Sequence, residues 1–107
     1  MNELTKTLID ELKAKHGELR AFSLERGGQR FVVRGPNEGE FQRALDKIGD
    51  GGRRKTEAIT EIGEACLVFP PAEEVARIAA SKPGLLLTAG NEAMQIAGVV
   101  DAYSEKL

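Results

Sequence analysis

Histidine and cysteine, which often serve as general base and nucleophile in enzymes, are scarce in this chain. It contains one histidine, His16, and one cysteine, Cys66. A histidine acts as a general base, and a cysteine as a nucleophile, only when a neighbouring group orients it or adjusts its pKa. His16 precedes Gly17 at the predicted end of a helix, where an imidazolium interacts favourably with the helix dipole. Cys66 falls in an apolar helical pattern and is predicted to be a buried small hydrophobe.

A second candidate for chemistry is the basic turn in which Arg53, Arg54 and Lys55 follow the glycine-rich stretch 49–52. Such a turn at a helix N-terminus could hold an anion. It matches neither phosphate-binding fingerprint, however, and a solvated basic turn is the simpler interpretation. Adjacent carboxylates such as Glu73 and Glu74 are expected by chance among 17 acidic residues. With no metal-ligand spacing either, we predict a protein that is not an enzyme and holds no metal or cofactor.

Composition is that of an ordinary globular protein. Hydrophobic residues make up 41% and charged residues 30% of the 107 residues, which favours one domain spanning 1–107. The net charge of -2 gives no overall attraction to nucleic acid. No apolar run approaches the roughly 20 residues of a membrane span, and a lone cysteine suits a reducing compartment. We therefore expect a cytoplasmic protein.

The N-terminal third predicts a helix followed by a β-hairpin. Apolar residues at helical spacing indicate a helix over 3–16, within a helical extension 1–17, with Asn2 as its N-cap. Alternating apolar residues over 19–34 indicate a hairpin, and Gly27-Gly28 indicates a two-residue loop. Such a loop predicts three cross-strand pairs, namely Leu24 with Phe31, Phe22 with Val33, and Glu25 with Arg30.

The remainder, 37–107, predicts four helices. Asn37 and Glu40 have the spacing of a capping box and open a helix to about Ile48. A helix over 55–69 ends at Pro70-Pro71, and a short helix beginning near Glu73 and Glu74 runs to the Pro83-Gly84 break. The last helix carries an apolar stripe of five turns: Leu86, Ala89, Ala93, Ile96, Val100 and Tyr103. The predicted fold is α+β, mostly helical, with about five helices and one N-terminal antiparallel hairpin.

The last helix is apolar over more of its circumference than one packing face requires. This excess favours contact with another protein, and burial in the domain's own core is the competing interpretation. The residues we predict for partner contact are Phe69, Val75, Leu86, Leu87, Met94, Ile96 and Val100. If those side chains are fully enclosed within the monomer, the prediction fails.

The same stretch resembles the tail assembly chaperones of long-tailed bacteriophages and prophages. The similarity covers roughly residues 29–100 and lies in the order of helix ends and turns. Its elements are the helix opener Asn37-Glu-Gly-Glu-Phe41, the apolar helix end Ala65-Cys-Leu-Val-Phe-Pro70, the acidic helix start Ala72-Glu-Glu-Val-Ala-Arg77, the break Pro83-Gly84-Leu85 and the closing Ile96-Ala-Gly98.

That resemblance implies an adaptor in the bacterial host cytoplasm that binds the long helical tape-measure protein, keeps it soluble and recruits tail tube subunits. It also implies self-association, because many copies would line one extended partner. A small regulatory or nucleic-acid-associated protein using Arg53–Lys55 is the alternative. An unrecognised small enzyme is the least favoured class.

Overall fold

A computed structural model describes residues 3–49 and 54–99 and shows an α+β fold that is mostly helical, as predicted. In these two ranges, five helices accompany a three-stranded antiparallel sheet of order β1-β2-β3. The elements in chain order are α1 (Lys6–His16), β1 (Leu19–Ser23), β2 (Arg30–Arg34), α2 (Glu38–Ile48), α3 (Lys55–Cys66), β3 (Leu67–Phe69), α4 (Ala72–Ser81) and α5 (Leu85–Ile96). Within the described ranges, no helix is both long and apolar enough to cross a bilayer.

Helix α1 begins later than predicted and stays at the surface. Its N-cap is Thr5, whose hydroxyl accepts a hydrogen bond from the Leu8 backbone N–H at 3.2 Å. The predicted cap, Asn2, lies outside the described residues. At the other end Gly17 has φ 81° and donates its N–H to the Lys13 carbonyl, so the glycine ends the helix as expected. No residue of α1 is buried.

The hairpin forms, but the predicted register is wrong. Phe22 pairs with Phe31 and Ser23 with Arg30, and residues 24–29 form a longer connection than the predicted two-residue loop. The three predicted pairs differ from the observed ones by two positions, and a shift of two keeps each side chain on its face. Phe22, Phe31 and Val33 therefore share one face as predicted, and the two phenylalanine rings stack with centroids 5.3 Å apart.

The strand β3 was not predicted, because the sequence pattern extended α3 through Phe69. The helix ends at Cys66, and Leu67–Phe69 add to the sheet beside β2, with Val32 opposite Phe69. Proline disfavours the helical conformation in the residue before it, so Pro70 favours an extended Phe69. Val68 and Phe69 also belong to residue types that are enriched in β-strands, so they add to the preference for an extended backbone here.

Helices α3 and α5 cross at two glycines and form the centre of the core. A Cβ placed on Gly63 would lie 2.0 Å from the Leu86 carbonyl oxygen, and one on Gly90 would lie 1.9 Å from the Ile59 carbonyl oxygen. The absence of a side chain at both glycines therefore allows the two helix backbones to approach closely. The buried residues of this core cluster are Val33, Ala44, Ala58, Ile59, Ile62, Cys66, Ala89, Ala93 and Met94.

Helix α5 is shorter than the five-turn stripe predicted. It ends at Ile96, and Gly98 takes φ 93°. The Gly98 N–H bonds to the Gln95 carbonyl and the Val99 N–H to the Met94 carbonyl, which is the hydrogen-bond pattern of a Schellman motif. Val100 and Tyr103, which the stripe included, lie outside the described residues.

A charged pair connects β2, α2 and α3. The Arg34 guanidinium donates to both carboxylate oxygens of Glu40, at 2.9 and 3.0 Å, and to the Ala65 carbonyl at 3.0 Å. Glu40 also accepts from the Asn37 backbone N–H, and Asn37 accepts from the Glu40 N–H, so the predicted capping box is confirmed. The hydrogen bonds from Arg34 lower the pKa of Glu40 to about 2.

Replacing Glu40 with glutamine should lower the free energy of unfolding at pH 7 by about 2 kcal/mol. A carboxylate whose pKa is depressed by folding stabilises the protein above its unfolded pKa and loses that contribution as the pH falls. The stability difference between wild type and Glu40→Gln should therefore shrink as the pH falls from 4.5 towards 2. Urea unfolding across this range measures it, with the exposed Glu38→Gln as control. A difference that does not change with pH would contradict the role given to this pair.

Candidate partner-binding groove

The two residues best suited to catalysis are not activated. Cys66 is fully buried, and burial raises the pKa of its thiol to about 11, so it stays protonated at neutral pH. Partial burial, and then the charges of Lys15 and Arg34, lower the pKa of His16. Residues 3–49 and 54–99 contain no group of three or more His, Cys, Asp or Glu able to hold a metal ion.

The feature most suited to function is an apolar groove beside α4, which we call the α4 groove. It has a volume of about 200 Å³ and runs between α4 and the layer formed by α3, β3 and α5. The lining residues are Glu64, Leu67, Ala72, Val75, Ala76, Ala79 and Leu86. An engineered apolar cavity of roughly 150 Å³ accommodates benzene, so this groove has room for a large apolar side chain.

The sequence of α4 explains why the groove stays open. Pro71 is the N-cap and Pro83 follows the helix, so proline residues fix both ends of a short element. The helix presents the small residues Ala72, Ala76 and Ala79 to the groove. Their methyl groups are too short to fill the space above α3 and α5, and no residue of α4 is buried.

The groove carries little charge of its own. Among the described residues that line it, Glu64 is the one charged residue and the others are apolar. On α4, Arg77 pairs with Glu74 and holds the pKa of that carboxyl below its usual value. A ligand of this groove would therefore be bound mainly by burial of apolar surface.

Of the six described residues that we predict for partner contact, the structure brings two together in this groove. Val75 and Leu86 both line the α4 groove. Leu87 and Ile96 are half-buried and pack against the core cluster instead. Val100 lies outside the described residues.

Phe69 and Met94 are enclosed by the chain itself. Their exposed fractions are 6% and 4%, so these two side chains support the core and offer no surface to a partner. The prediction placed them at a surface because both belong to wide apolar patterns. Their burial in the monomer is the condition under which the contact prediction fails for those two positions.

The alanines of α4 were missed as groove residues. Ala72, Ala76 and Ala79 recur at spacings of four and three, which places them on one helix face. Sequence reasoning usually assigns such a face to close helix packing, and the structure shows space there instead. Leu67 was also missed, because it was assigned to the end of α3.

The basic turn is partly neutralised by its own helix. The Arg54 guanidinium lies 3.3 Å from the Glu57 carboxylate, and Lys55 is exposed. Arg53 lies outside the described residues. The alternative of a nucleic-acid surface therefore gains no geometric support at Arg54.

Comparison with known proteins identifies a fold and no function. No protein-family profile matches the chain, and neither does any curated protein. The chain is similar to the solved structure of an uncharacterised protein from Bacillus stearothermophilus, with a TM-score of 0.71 and 26% sequence identity. The similarity covers 92% of this chain and 99% of that one. The α+β fold is thus shared over nearly the whole length of both proteins.

Proposed function

We propose that this protein is a non-enzymatic tail assembly chaperone of a phage or prophage, which binds the tape-measure protein during tail morphogenesis in the host cytoplasm. The observation that carries the proposal is the open α4 groove, in which Val75 and Leu86 lie together. The sequence resemblance described above supplies the class of partner, and the groove supplies a surface suited to it.

The shape of the groove suits a helical partner. A helix laid in a groove inserts apolar side chains spaced three and four residues apart and leaves its polar face in water. A volume of about 200 Å³ holds one or two such side chains, so a single contact would be weak. Many copies along one long helical partner would bind it firmly through multivalency, which fits the proposed self-association. Recruitment of tube subunits is implied by the resemblance alone.

A largely apolar lining also suits a chaperone. Long helices with apolar stripes aggregate when the stripes are exposed, and covering them one segment at a time prevents this. The contact requires no reacting group, metal or cofactor. Because the binding energy comes from apolar burial, it should depend little on salt, whereas binding of nucleic acid through Lys55 and its basic neighbours would weaken steeply as salt rises.

Co-expression with the tape-measure protein tests the proposal. That partner is expected as the product of a very long, helix-rich gene downstream in the same gene cluster. Its soluble fraction should rise several-fold when this protein is co-expressed, and the two should co-purify in 0.5 M salt as well as in 0.1 M salt. An unchanged soluble fraction, or co-purification lost at high salt, would contradict the proposal.

A further inference from the structure

A second groove lies between α1 and the strands β1 and β2, and we call it the α1 groove. Its volume is about 200 Å³. The apolar part of its lining comes from both elements and consists of Leu4, Ile9, Leu19, Ala21 and Val32. None of the residues of α1 is buried, so the helix covers the sheet without closing the space beneath it.

Among residues 3–49 and 54–99, the charged residues that line the α1 groove are all basic. They are Lys13, Arg20 and Arg30. Arg20 is bound to Glu92 of α5, with its Nε 2.6 Å from the carboxylate. Within the described ranges 3–49 and 54–99, Lys13 and Arg30 make no ion pair. Lys13 and Arg30 therefore lie next to the apolar lining residues, which form the floor of the groove, and neither is paired with a carboxylate of the described residues.

An apolar floor beside two cations favours a ligand that joins an apolar group to negative charge. A ligand that fills the groove must carry an apolar side chain, and one that satisfies Lys13 and Arg30 must carry negative charge next to it. Acidic segments with interspersed leucines have both properties. A nucleic acid would meet the cations through its phosphates and leave the apolar floor uncovered, and a basic peptide would be repelled.

The edge strand β1 of the sheet borders the α1 groove. In the described part of the chain β1 pairs only with β2, so its other edge is free of strand partners. Leu19, Arg20 and Ala21 of β1 are consecutive lining residues, which puts the backbone of the edge strand in the wall of the groove. An extended segment bound there can pair with β1 while its alternate side chains enter the groove.

We propose that the α1 groove binds an acidic, leucine-containing peptide segment of a partner protein, with leucine on the apolar floor and carboxylates at Lys13 and Arg30. This inference does not depend on the proposed function. The two grooves differ in charge, since Glu64 is the charged residue of the α4 groove. A partner segment held at the α1 groove leaves the α4 groove open to a second one.

Fluorescence anisotropy with a labelled 12-residue peptide of glutamates and leucines tests the proposal. Wild type should bind this peptide, and a peptide with lysine in place of each glutamate should bind at least ~10-fold more weakly. A third peptide, with serine in place of each leucine, should lose a similar factor. Equal binding of either altered peptide would overturn the proposal.

Variants of the protein locate the site. Lys13→Glu and Arg30→Glu should each weaken binding of the acidic peptide about 10-fold, because each replaces an attraction by a repulsion. Lys55→Glu, a matched reversal of an exposed lysine on α3, and Val75→Asp in the α4 groove should leave it unchanged. Circular dichroism confirms folding of every variant. Unchanged binding by both Lys13→Glu and Arg30→Glu, or tighter binding to anionic phospholipid vesicles than to the peptide, would overturn the proposal.

Discussion

Replacing Gly90 with alanine is expected to destabilise the protein by at least ~3 kcal/mol, a large part of the stability of a small domain. The added methyl carbon would lie 1.9 Å from the Ile59 carbonyl oxygen and 2.7 Å from the Ile59 Cγ2. The first neighbour is backbone, which cannot rotate away as a side chain does. The two central helices would have to separate, and the contacts of α3 with α5 would be lost. Chemical denaturation measures the loss.

A matched substitution separates this clash from the ordinary effect of alanine in a helix. At Gly39 in α2, an added Cβ would meet only Asn37 Oδ1 at 3.5 Å and Arg43 Nη1 at 3.7 Å. Gly39→Ala should therefore leave stability unchanged or raise it by roughly 0.5–1 kcal/mol. If the two variants had equal stability, the helix crossing described here would be wrong.

Replacing Val75 with aspartate should weaken binding of a tape-measure helix by ~100-fold, which corresponds to about 2.7 kcal/mol. The new carboxylate would enter the apolar lining close to the negative charge of Glu64, so partner binding would have to desolvate it. Because no residue of α4 is buried, the fold should survive the change. Titration of a labelled tape-measure fragment into purified protein measures the affinity.

The same helix provides the control for that experiment. Ala80 of α4 is exposed and does not line the groove, so Ala80→Asp introduces the same charge outside the groove lining. Its affinity should stay within about twofold of wild type. A second groove variant, Leu86→Ala, should weaken binding about 10-fold through loss of apolar contact. Equal effects of Val75→Asp and Ala80→Asp would place the partner elsewhere.

Local signals in the sequence predicted the fold best. The capping box at Asn37 and Glu40 depends on residues three apart, and it forms as predicted. The alternation of Phe22, Phe31 and Val33 predicted a shared face, because side-chain direction repeats every two residues. The register did not follow from Gly27-Gly28, since the strands end before the turn and the pattern cannot distinguish a shift of two.

Predictions that depended on distant contacts were less accurate. Strand β3 forms because β2 offers a free edge, and a helical pattern that continues through Phe69 does not contain that information. The end of α5 at Ile96 could have been predicted from Gly98, but apolar residues at helical spacing continue past that glycine in the sequence. Of the residues that line the α4 groove, the sequence had singled out Val75 and Leu86 for partner contact, and that role stays a prediction. The space that makes them a groove depends on how far α4 lies from α3 and α5, which only the folded chain defines.

Amide chemical-shift mapping tests the central claim most directly. Uniformly 15N-labelled protein would be titrated with a helical tape-measure fragment, and shifts would be followed for residues of both grooves and of the basic turn. The proposal predicts the largest changes at Leu67, Val75, Ala79 and Leu86, with little change at Arg54 and Lys55. Changes concentrated at Arg54 and Lys55, or no change at the α4 groove at a saturating concentration of the fragment, would contradict it.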